Sequence, residues 1–371
     1  MCVSMHGGGH PQRKGFIMQY EESRLQPITL IDPLAIKRPH YDSSRPALDN
    51  YGRRIDYLRI SLTDRCNLRC VYCMPEHGMQ FMPKDELLTN DELLRVVRAA
   101  STVGFRKIRL TGGEPTLRRD LVSLVRDIKA IDGIEHIAMT TNAVKLAPIA
   151  HDLKSAGLDR VNISIDSLDA ERFAQITRGA RLSDVWAGIN AAESAGLTPL
   201  KLNMVVVRGL NDHDVLELAA LTLRHDWDIR FIEVMPLTGV ADMANDGVIA
   251  SSELISRIEG EFGPIADHGM HAADPAHRYQ IRGAKGYIGF ISSVSEPFCS
   301  TCNRMRLTAD GRLHLCLLRD DEVDLRAALR SGVDDDELMQ IIRHAVAIKP
   351  WGHGLPDGIL PTVRGMSALG G

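Results

Sequence analysis

The sequence predicts an α/β fold: a parallel sheet of six consecutive strand–helix units, followed by a smaller α+β unit. Three observations carry this prediction. From Ile55 onward, short strand-like runs alternate with amphipathic helical stretches, a pattern that builds parallel sheets. After about residue 245 that alternation gives way to paired strand-like runs. The length, 371 residues, exceeds what one small core usually supports.

Residues 1–50 contain several Pro, Gly and charged residues without sustained periodicity, and read as a flexible N-terminal extension. Packing of "PITLIDPLAI" on the body is the alternative. The strands of the large domain, residues 51–245, are "DYLRISL", "KIRLTG", "HIAMTT", "RVNISID", "LKLNMVVV" and "DIRFIEVM". Between them lie helical segments such as "DELLRVVRAASTVG", "RDLVSLVRDIKAI", "PIAHDLKSAG", "DVWAGINAAESAG" and "DVLELAALTLRH", several ending at glycine as helices commonly do. In residues 246–371, "SSELISRIEGEFG" reads as a helix, and "RYQIRG" with "GYIGFIS" as an antiparallel pair turning at "GAKG". "RLTADGRLHLCL" reads as a short hairpin turning near Asp310–Gly311. Two further helical stretches and a Gly-rich tail complete the unit.

Helix-covered parallel strands normally read as continuous apolar runs, but here one face is polar. Arg59, Ser61 and Thr63 alternate with Leu58, Ile60 and Leu62; Lys107, Arg109 and Thr111 with Ile108 and Leu110; Asn162, Ser164 and Asp166 with Val161, Ile163 and Ile165. A side-chain period of two sends each set to its own face. The apolar sets must meet the helices, so the polar sets face inward. Unpaired charge is too costly in a dry interior, so that face must line a cavity holding water or an anion. Salt bridges across a packed interior are the alternative.

Composition narrows the function classes. Hydrophobic residues make up 44% and charged residues 25%, as in ordinary soluble domains. No apolar run approaches the roughly 20 residues that span a bilayer, and no signal peptide is read at the N-terminus, so a cytoplasmic protein without a membrane partner is expected. A net charge of −4 argues against a nucleic-acid-binding surface, so any anionic ligand must be held by local Arg and Lys residues. The seven cysteines divide into Cys2, a first triad at Cys66, Cys70 and Cys73, and a second at Cys299, Cys302 and Cys316. In a reducing compartment such spacing reads as metal binding rather than disulfides, with Cys2 a free thiol. Three thiolates leave a coordination position open on an iron–sulfur cluster. Zinc with a fourth ligand is the other reading, with His77 near the first triad and His314 near the second. Arg304 and Arg306 alternate directly after the second CxxC, which suits bidentate binding of phosphate or a base edge.

"CNLRCVYC", just after the first strand, resembles the CxxxCxxC signature of radical S-adenosylmethionine (SAM) enzymes, and "TGGEP" at Thr111–Pro115 resembles their segment that meets the SAM amino group. That likeness implies a partial (βα)6 TIM-like barrel of the radical SAM type. "FCSTCNRMRLTADGRLHLCL", together with "LTGGEPTLR", "VNISIDSL", "RFIEVMP" and the terminal Gly370–Gly371, resembles GTP 3′,8-cyclases from about Tyr51 to Gly371. These lyases open molybdenum cofactor biosynthesis by converting GTP to (8S)-3′,8-cyclo-7,8-dihydroguanosine 5′-triphosphate.

The resemblance implies two [4Fe–4S] clusters, one on Cys66, Cys70 and Cys73 with SAM, the other on Cys299, Cys302 and Cys316 facing the guanine. It implies SAM contacts from Tyr72, Gly113, Ser164 and Met235. It implies GTP contacts from Arg59, Arg109, Thr140, Lys201, Arg304, Met305 and Arg306, with Lys107, Arg230, Gly370 and Gly371 catalytic or positioning. Its implied partners are a flavodoxin- or ferredoxin-like electron donor and cyclic pyranopterin monophosphate synthase as the next enzyme; a homodimer is left open. In "TTNA", Ala143 stands where the family usually has glycine, which puts the turn after the third strand in question. A frayed terminus is the alternative for the Gly-Gly tail. The competing functions are another radical SAM enzyme that modifies a peptide, and a metal-binding structural protein.

Overall fold

Alternation of polar and apolar residues places six parallel strands at the centre of the sheet. The computed structural model describes residues 30–31, 47–75, 79–237, 243, 246–270 and 274–370. After a two-residue strand β1 (Leu30–Ile31), the six are β2 (Tyr57–Ser61), β3 (Lys107–Thr111), β4 (His136–Thr141), β5 (Arg160–Ser164), β6 (Lys201–Val206) and β7 (Asp228–Glu233). They pair in parallel and in chain order. Leu58, Ile60, Ile108, Leu110, Val161 and Ile163 are all buried in the main apolar core, as a sheet with one face under helices requires.

The connecting helices are α1 (Asn90–Val103), α2 (Leu121–Lys129), α3 (Ala150–Ser155), α4 (Ala170–Thr177), α5 (Leu182–Ser194) and α6 (Val215–Arg224). Helix α1 starts in a capping box, Glu92 N donating to Thr89 Oγ1 at 3.2 Å and Thr89 N to Glu92 Oε2 at 2.8 Å. The sequence reading did not place α4, a short helix whose first turn is capped by Asp169, which accepts from Arg172 N at 2.7 Å.

Beyond these units come α7 (Ser251–Phe262), β8 (Ala266–Met270), β9 (His277–Gln280), β10 (Tyr287–Ile291), β11 (Arg304–Leu307), β12 (Arg312–His314), β13 (Glu322–Asp324), α8 (Leu325–Arg330), α9 (Asp335–Ala347) and α10 (Met366–Leu369). The β9–β10 and β11–β12 antiparallel pairs lie where the turn signals put them. β8 and β13 were not anticipated: the first lacks apolar alternation, and the second has three residues. The C-terminal strands continue the central sheet at both edges, β10 pairing in parallel with β7 and β11 in parallel with β2.

The expected flexible extension of residues 1–50 is not free throughout. Within "PITLIDPLAI", Leu30–Ile31 pair in parallel with Glu322–Val323 and form one edge of the sheet. Ala47 and Asp49 are buried. Cys2 and His77 lie outside the described residues. Among the described residues, no helix is long and apolar enough to cross a membrane.

Ala143 resolves the turn that the sequence left in question. It adopts φ +61°, the left-handed region that glycine tolerates best, and is fully buried. Its N–H donates to Thr141 Oγ1 at 3.0 Å, and its carbonyl accepts from Leu146 N at 3.0 Å. Space for its methyl comes from Gly188 on α5, where an added Cβ would lie 2.3 Å from the Ala143 carbonyl oxygen and 2.8 Å from its Cβ. Gly188→Ala is therefore expected to destabilise the protein by about 1–3 kcal/mol. Ala143→Gly should stay within about 1 kcal/mol of the parent, because relief of the left-handed alanine offsets the lost methyl. Denaturant midpoints of the two variants check this; equal midpoints would contradict it.

Candidate active site

The inward positions of the strands enclose a cavity of about 450 Å³. Register sets its electrostatics: Arg306 on β11 is paired with Arg59 on β2, and Arg59 with Arg109 on β3. Like charges directly across strands oppose one another. The result is visible in their basicity. Burial, then Arg306 and Arg109, holds the Arg59 guanidinium well below its usual range. Burial, then Arg304, brings Arg306 down to about 10. Arg109 donates from Nε to the Tyr57 hydroxyl, donates from Nη1 to Thr140 Oγ1 at 3.4 Å, and sits 5.6 Å from the Tyr57 ring centre. Burial pushes the Tyr57 phenol up, but Arg109 and Arg59 outweigh it and leave it below its ordinary value. Lys107, Arg160, Lys201, Arg230 and Arg304 line the same cavity. An enclosed face with this many cations fits a polyanion.

The first triad sits at the end of the cavity where β2 leads into its loop. That loop is held by α4: Arg69 N donates to Thr177 O at 3.2 Å and Val71 N to Ile176 O at 3.0 Å. Arg178 Nη1 donates to the carbonyls of Arg69 and Met74 at 3.0 and 2.9 Å. The GGEP segment packs on the loop through Gly113, whose N–H donates to Thr63 O at 2.6 Å. A Cβ at Gly113 would stand 2.1 Å from Arg65 O, so only glycine permits the approach. Glu114 is buried and joins two strand ends, accepting from Thr141 Oγ1 at 2.6 Å and Asn142 N at 2.8 Å.

Cys66, Cys70 and Cys73 all line the cavity. Burial pushes all three thiols up, Cys73 to about 12, and for Cys70 the Asp166 carboxylate and the other two cysteines add to the effect. Three enclosed thiols that oppose one another's ionisation become stable thiolates around a cationic metal centre. An all-thiol set of three fits an iron–sulfur cluster with one iron left for an outside ligand. Tyr72, Gly113, Ser164 and Met235 line the cavity with the triad. Tyr72 donates to Asp166 Oδ2 at 2.5 Å, and Asp166 Oδ1 accepts from Val205 N at 3.0 Å. Burial nevertheless raises the Asp166 carboxyl to about 6.

The second triad lies in the cavity wall beside β11. Its own residues do not line the cavity, but Phe298, Arg304, Arg306 and Leu317 next to them do. Arg53 fixes the Cys299 turn, donating from Nη1 to Cys299 O at 2.7 Å and to Trp351 O at 2.6 Å, and from Nη2 to Pro350 O at 2.7 Å. Burial raises the Cys302 thiol, but Lys349 and Arg304 outweigh it and bring it down to about 7, an environment suited to a thiolate ligand. His314, the suggested zinc ligand, is buried, and its ring is lowered to about 3 by burial and then by Arg306.

As far as Gly370 the C-terminal tail is packed rather than frayed, with Met366 and Ser367 lining the cavity. Arg364 anchors it through Glu322 at 2.9 Å and Asp310 at 3.0 Å, and Leu369 is buried with Leu237 and Leu318. Arg306 Nη1 donates to the Gly370 carbonyl. Gly370 has φ +75°, and a Cβ there would stand 2.1 Å from Thr111 Oγ1. Gly371 lies outside the described residues.

The expected site residues Arg59, Lys107, Arg109, Thr140, Lys201, Arg230, Arg304 and Arg306 thus line one cavity. Met305 is different: between two inward arginines, its side chain points into the apolar core, leaving only its backbone for a ligand. Sequence reasoning missed Tyr57, Arg160 and Asp274 as cavity residues. Extending the Asn162–Ser164 alternation back by two would have found Arg160; Asp274 lies in a loop and carries no such signal.

Comparison with known proteins agrees with this geometry. Residues 60–222 match the radical SAM superfamily, and residues 227–355 match a domain described as Molybdenum Cofactor Synthesis C. A GTP 3′,8-cyclase of Pelotomaculum thermopropionicum is 47% identical over 324 residues, which cover 87% of this chain and 99% of that one. The GTP 3′,8-cyclase of Desulforamulus reducens is 46% identical over 325 residues, covering 87% and 100%. Among solved structures, SuiB of Streptococcus suis bound to precursor peptide SuiA has a TM-score of 0.52 at 14% identity, covering 73% of this chain and 60% of that one, a likeness of fold alone. The chain belongs to the GTP 3′,8-cyclase family of radical SAM enzymes.

Proposed function

We propose that this protein converts GTP to (8S)-3′,8-cyclo-7,8-dihydroguanosine 5′-triphosphate, a step of molybdenum cofactor biosynthesis. One observation carries the reading: a row of register-paired arginines, Arg306, Arg59 and Arg109, faces a cavity lined by the first thiol triad and by Phe298 and Leu317, the chain neighbours of Cys299 and Cys316. A nucleoside triphosphate carries roughly four negative charges and supplies the counter-charge this face lacks.

Cys66, Cys70 and Cys73 would hold the SAM cluster, and Cys299, Cys302 and Cys316 the second one. When bound, the first cluster and SAM supply the radical chemistry that removes hydrogen from the ribose 3′ carbon. The protein's own residues orient and enclose. Tyr72, Gly113, Ser164 and Met235 bound the SAM end. Arg59, Arg109, Thr140, Lys201, Arg304, Arg306 and the Met305 backbone receive GTP, with Lys107 and Arg230 positioning it. Gly370 brings the tail toward the reacting end, a role the family resemblance extends to Gly371. Holding the ribose carbon and guanine carbon 8 in fixed relation favours ring closure over loss of the substrate radical. A flavodoxin- or ferredoxin-like donor would supply electrons, and cyclic pyranopterin monophosphate synthase would take the product.

The test is anaerobic reconstitution with iron and sulfide, then incubation with SAM, reductant and GTP. Formation of 5′-deoxyadenosine should depend on GTP and accompany a cyclised guanosine triphosphate; SAM cleavage indifferent to GTP would overturn the reading. Cys316→Ala should lose the cyclised product, retain some SAM cleavage and bind about half the parent's iron. Cys66→Ala should lose both activities, and equal SAM cleavage by Cys66→Ala and the parent would contradict the assignment. Gly370→Ala should fold and load iron normally yet lose roughly a hundredfold in kcat/KM, because a small misplacement at the reacting end is enough. Undiminished turnover would remove the tail from the site.

A further inference from the structure

Two cavity cations already hold a carboxylate on the cavity side. Asp274 Oδ2 lies 3.1 Å from Lys201 Nζ and 2.5 Å from Arg230 Nη2. A second carboxylate, Asp228, does not line the cavity; its Oδ2 is 3.5 Å from Lys201 and 3.3 Å from Arg230, and its Oδ1 is 2.6 Å from Arg278 Nη2. Asp228 is enclosed by three cations and is part of the strand, in register with Lys201.

Asp274 is held differently. It precedes β9 in a loop, its side chain is 20% exposed, and among the described residues its other oxygen accepts a 3.3 Å bond from Ala276 N. Lys201 and Arg230 keep it ionised at neutral pH despite partial burial. With Asp274 in place, the group of Lys201, Arg230, Arg278, Asp228 and Asp274 carries one net positive charge. With Asp274 displaced, two positive charges face the cavity. Other cavity arginines are directed elsewhere, Arg109 to the Tyr57 ring and hydroxyl and Arg304 to the Phe298 ring at 4.6 Å.

We infer that Asp274 is a displaceable counter-ion that occupies the subsite of a substrate phosphate on Lys201 and Arg230 and so sets nucleotide affinity. The inference rests on the reading that GTP is the substrate. A phosphate group carries more charge than a carboxylate and offers more acceptor oxygens to the same two donors, so it replaces Asp274 there. The carboxylate returns when the nucleotide leaves, so that the buried cations Lys201 and Arg230 do not share Asp228 alone in the empty enzyme.

Equilibrium binding to the anaerobically reconstituted holoenzyme, with GTP and guanosine as probes, tests this. Asp274→Asn should tighten GTP by about fivefold, the scale of a partly exposed ion pair, and leave guanosine unchanged. Without nucleotide the variant should melt below the parent, and added GTP should raise its melting temperature by more than it raises the parent's. Asp274→Glu should restore the parent's behaviour in both measurements. Unchanged or weaker GTP binding by a folded Asp274→Asn protein would make Asp274 a permanent strut or a direct ligand and overturn the inference. Equal tightening of guanosine would overturn it too, by placing the effect at the base or ribose. Absence of GTP binding to the parent protein would instead bring down the cyclase reading, and this inference with it.

Discussion

Charge repulsion inside an enclosed sheet is the constraint on which the rest of the structure depends. Arg306, Arg59 and Arg109 stand side by side across three strands, with Lys107, Arg160, Lys201 and Arg230 on the same face. A closed apolar core could not hold them, since taking each charge out of water costs several kcal/mol. The sheet therefore encloses a cavity instead of packing shut, and the helices bury only its outer face. What compensates the charge differs around the wall. Tyr57 takes Arg109, the Gly370 carbonyl takes Arg306, and Asp228 with Asp274 takes Lys201 and Arg230. These are partial solutions, and a polyanionic ligand completes them.

The two triads acquire their relation through the sheet edges. β11 lies in parallel beside β2, so the strand that carries Arg304 and Arg306 away from the second triad runs beside the one that leads into the first. Helix α4 grips the first loop through the carbonyls of its last turn, while Arg53 grips the Cys299 turn from just before β2. The tail packs at the C-terminal ends of the parallel strands: Leu369 packs near Met235, just after β7, and Gly370 lies against Thr111 at the end of β3. Each element is locally ordinary. Their convergence follows from C-terminal strands that extend both edges of one sheet.

Much of this was legible in the sequence because a strand's period of two is a strong signal. Alternation of Arg59 with Ile60 and of Arg109 with Leu110 placed the cations inside, and the spacing of each cysteine triad announced metal binding, with the choice of cluster over zinc resting on the family resemblance. Several features were not legible. Helix α4 is short and depends on Asp169 as a cap; β8 and β13 have too few alternating residues to register; and Leu30–Ile31 acquire strand structure only by pairing with Glu322–Val323, nearly three hundred residues away. Asp274 reaches Lys201 and Arg230 from a loop, where no periodicity constrains side-chain direction. Ala143 showed that a positive φ does not demand glycine when a neighbouring helix, here at Gly188, leaves room for the methyl.

The central claim is that one nucleotide lies between the triads with its base toward the second. The most direct measurement is electron–nuclear double resonance on the reduced, reconstituted protein with nitrogen-15-labelled GTP. The account predicts nitrogen coupling from the nucleotide to the second-triad cluster, absent in Cys316→Ala. Coupling to the cluster of Cys66, Cys70 and Cys73 instead, or no nitrogen coupling to either, would contradict it.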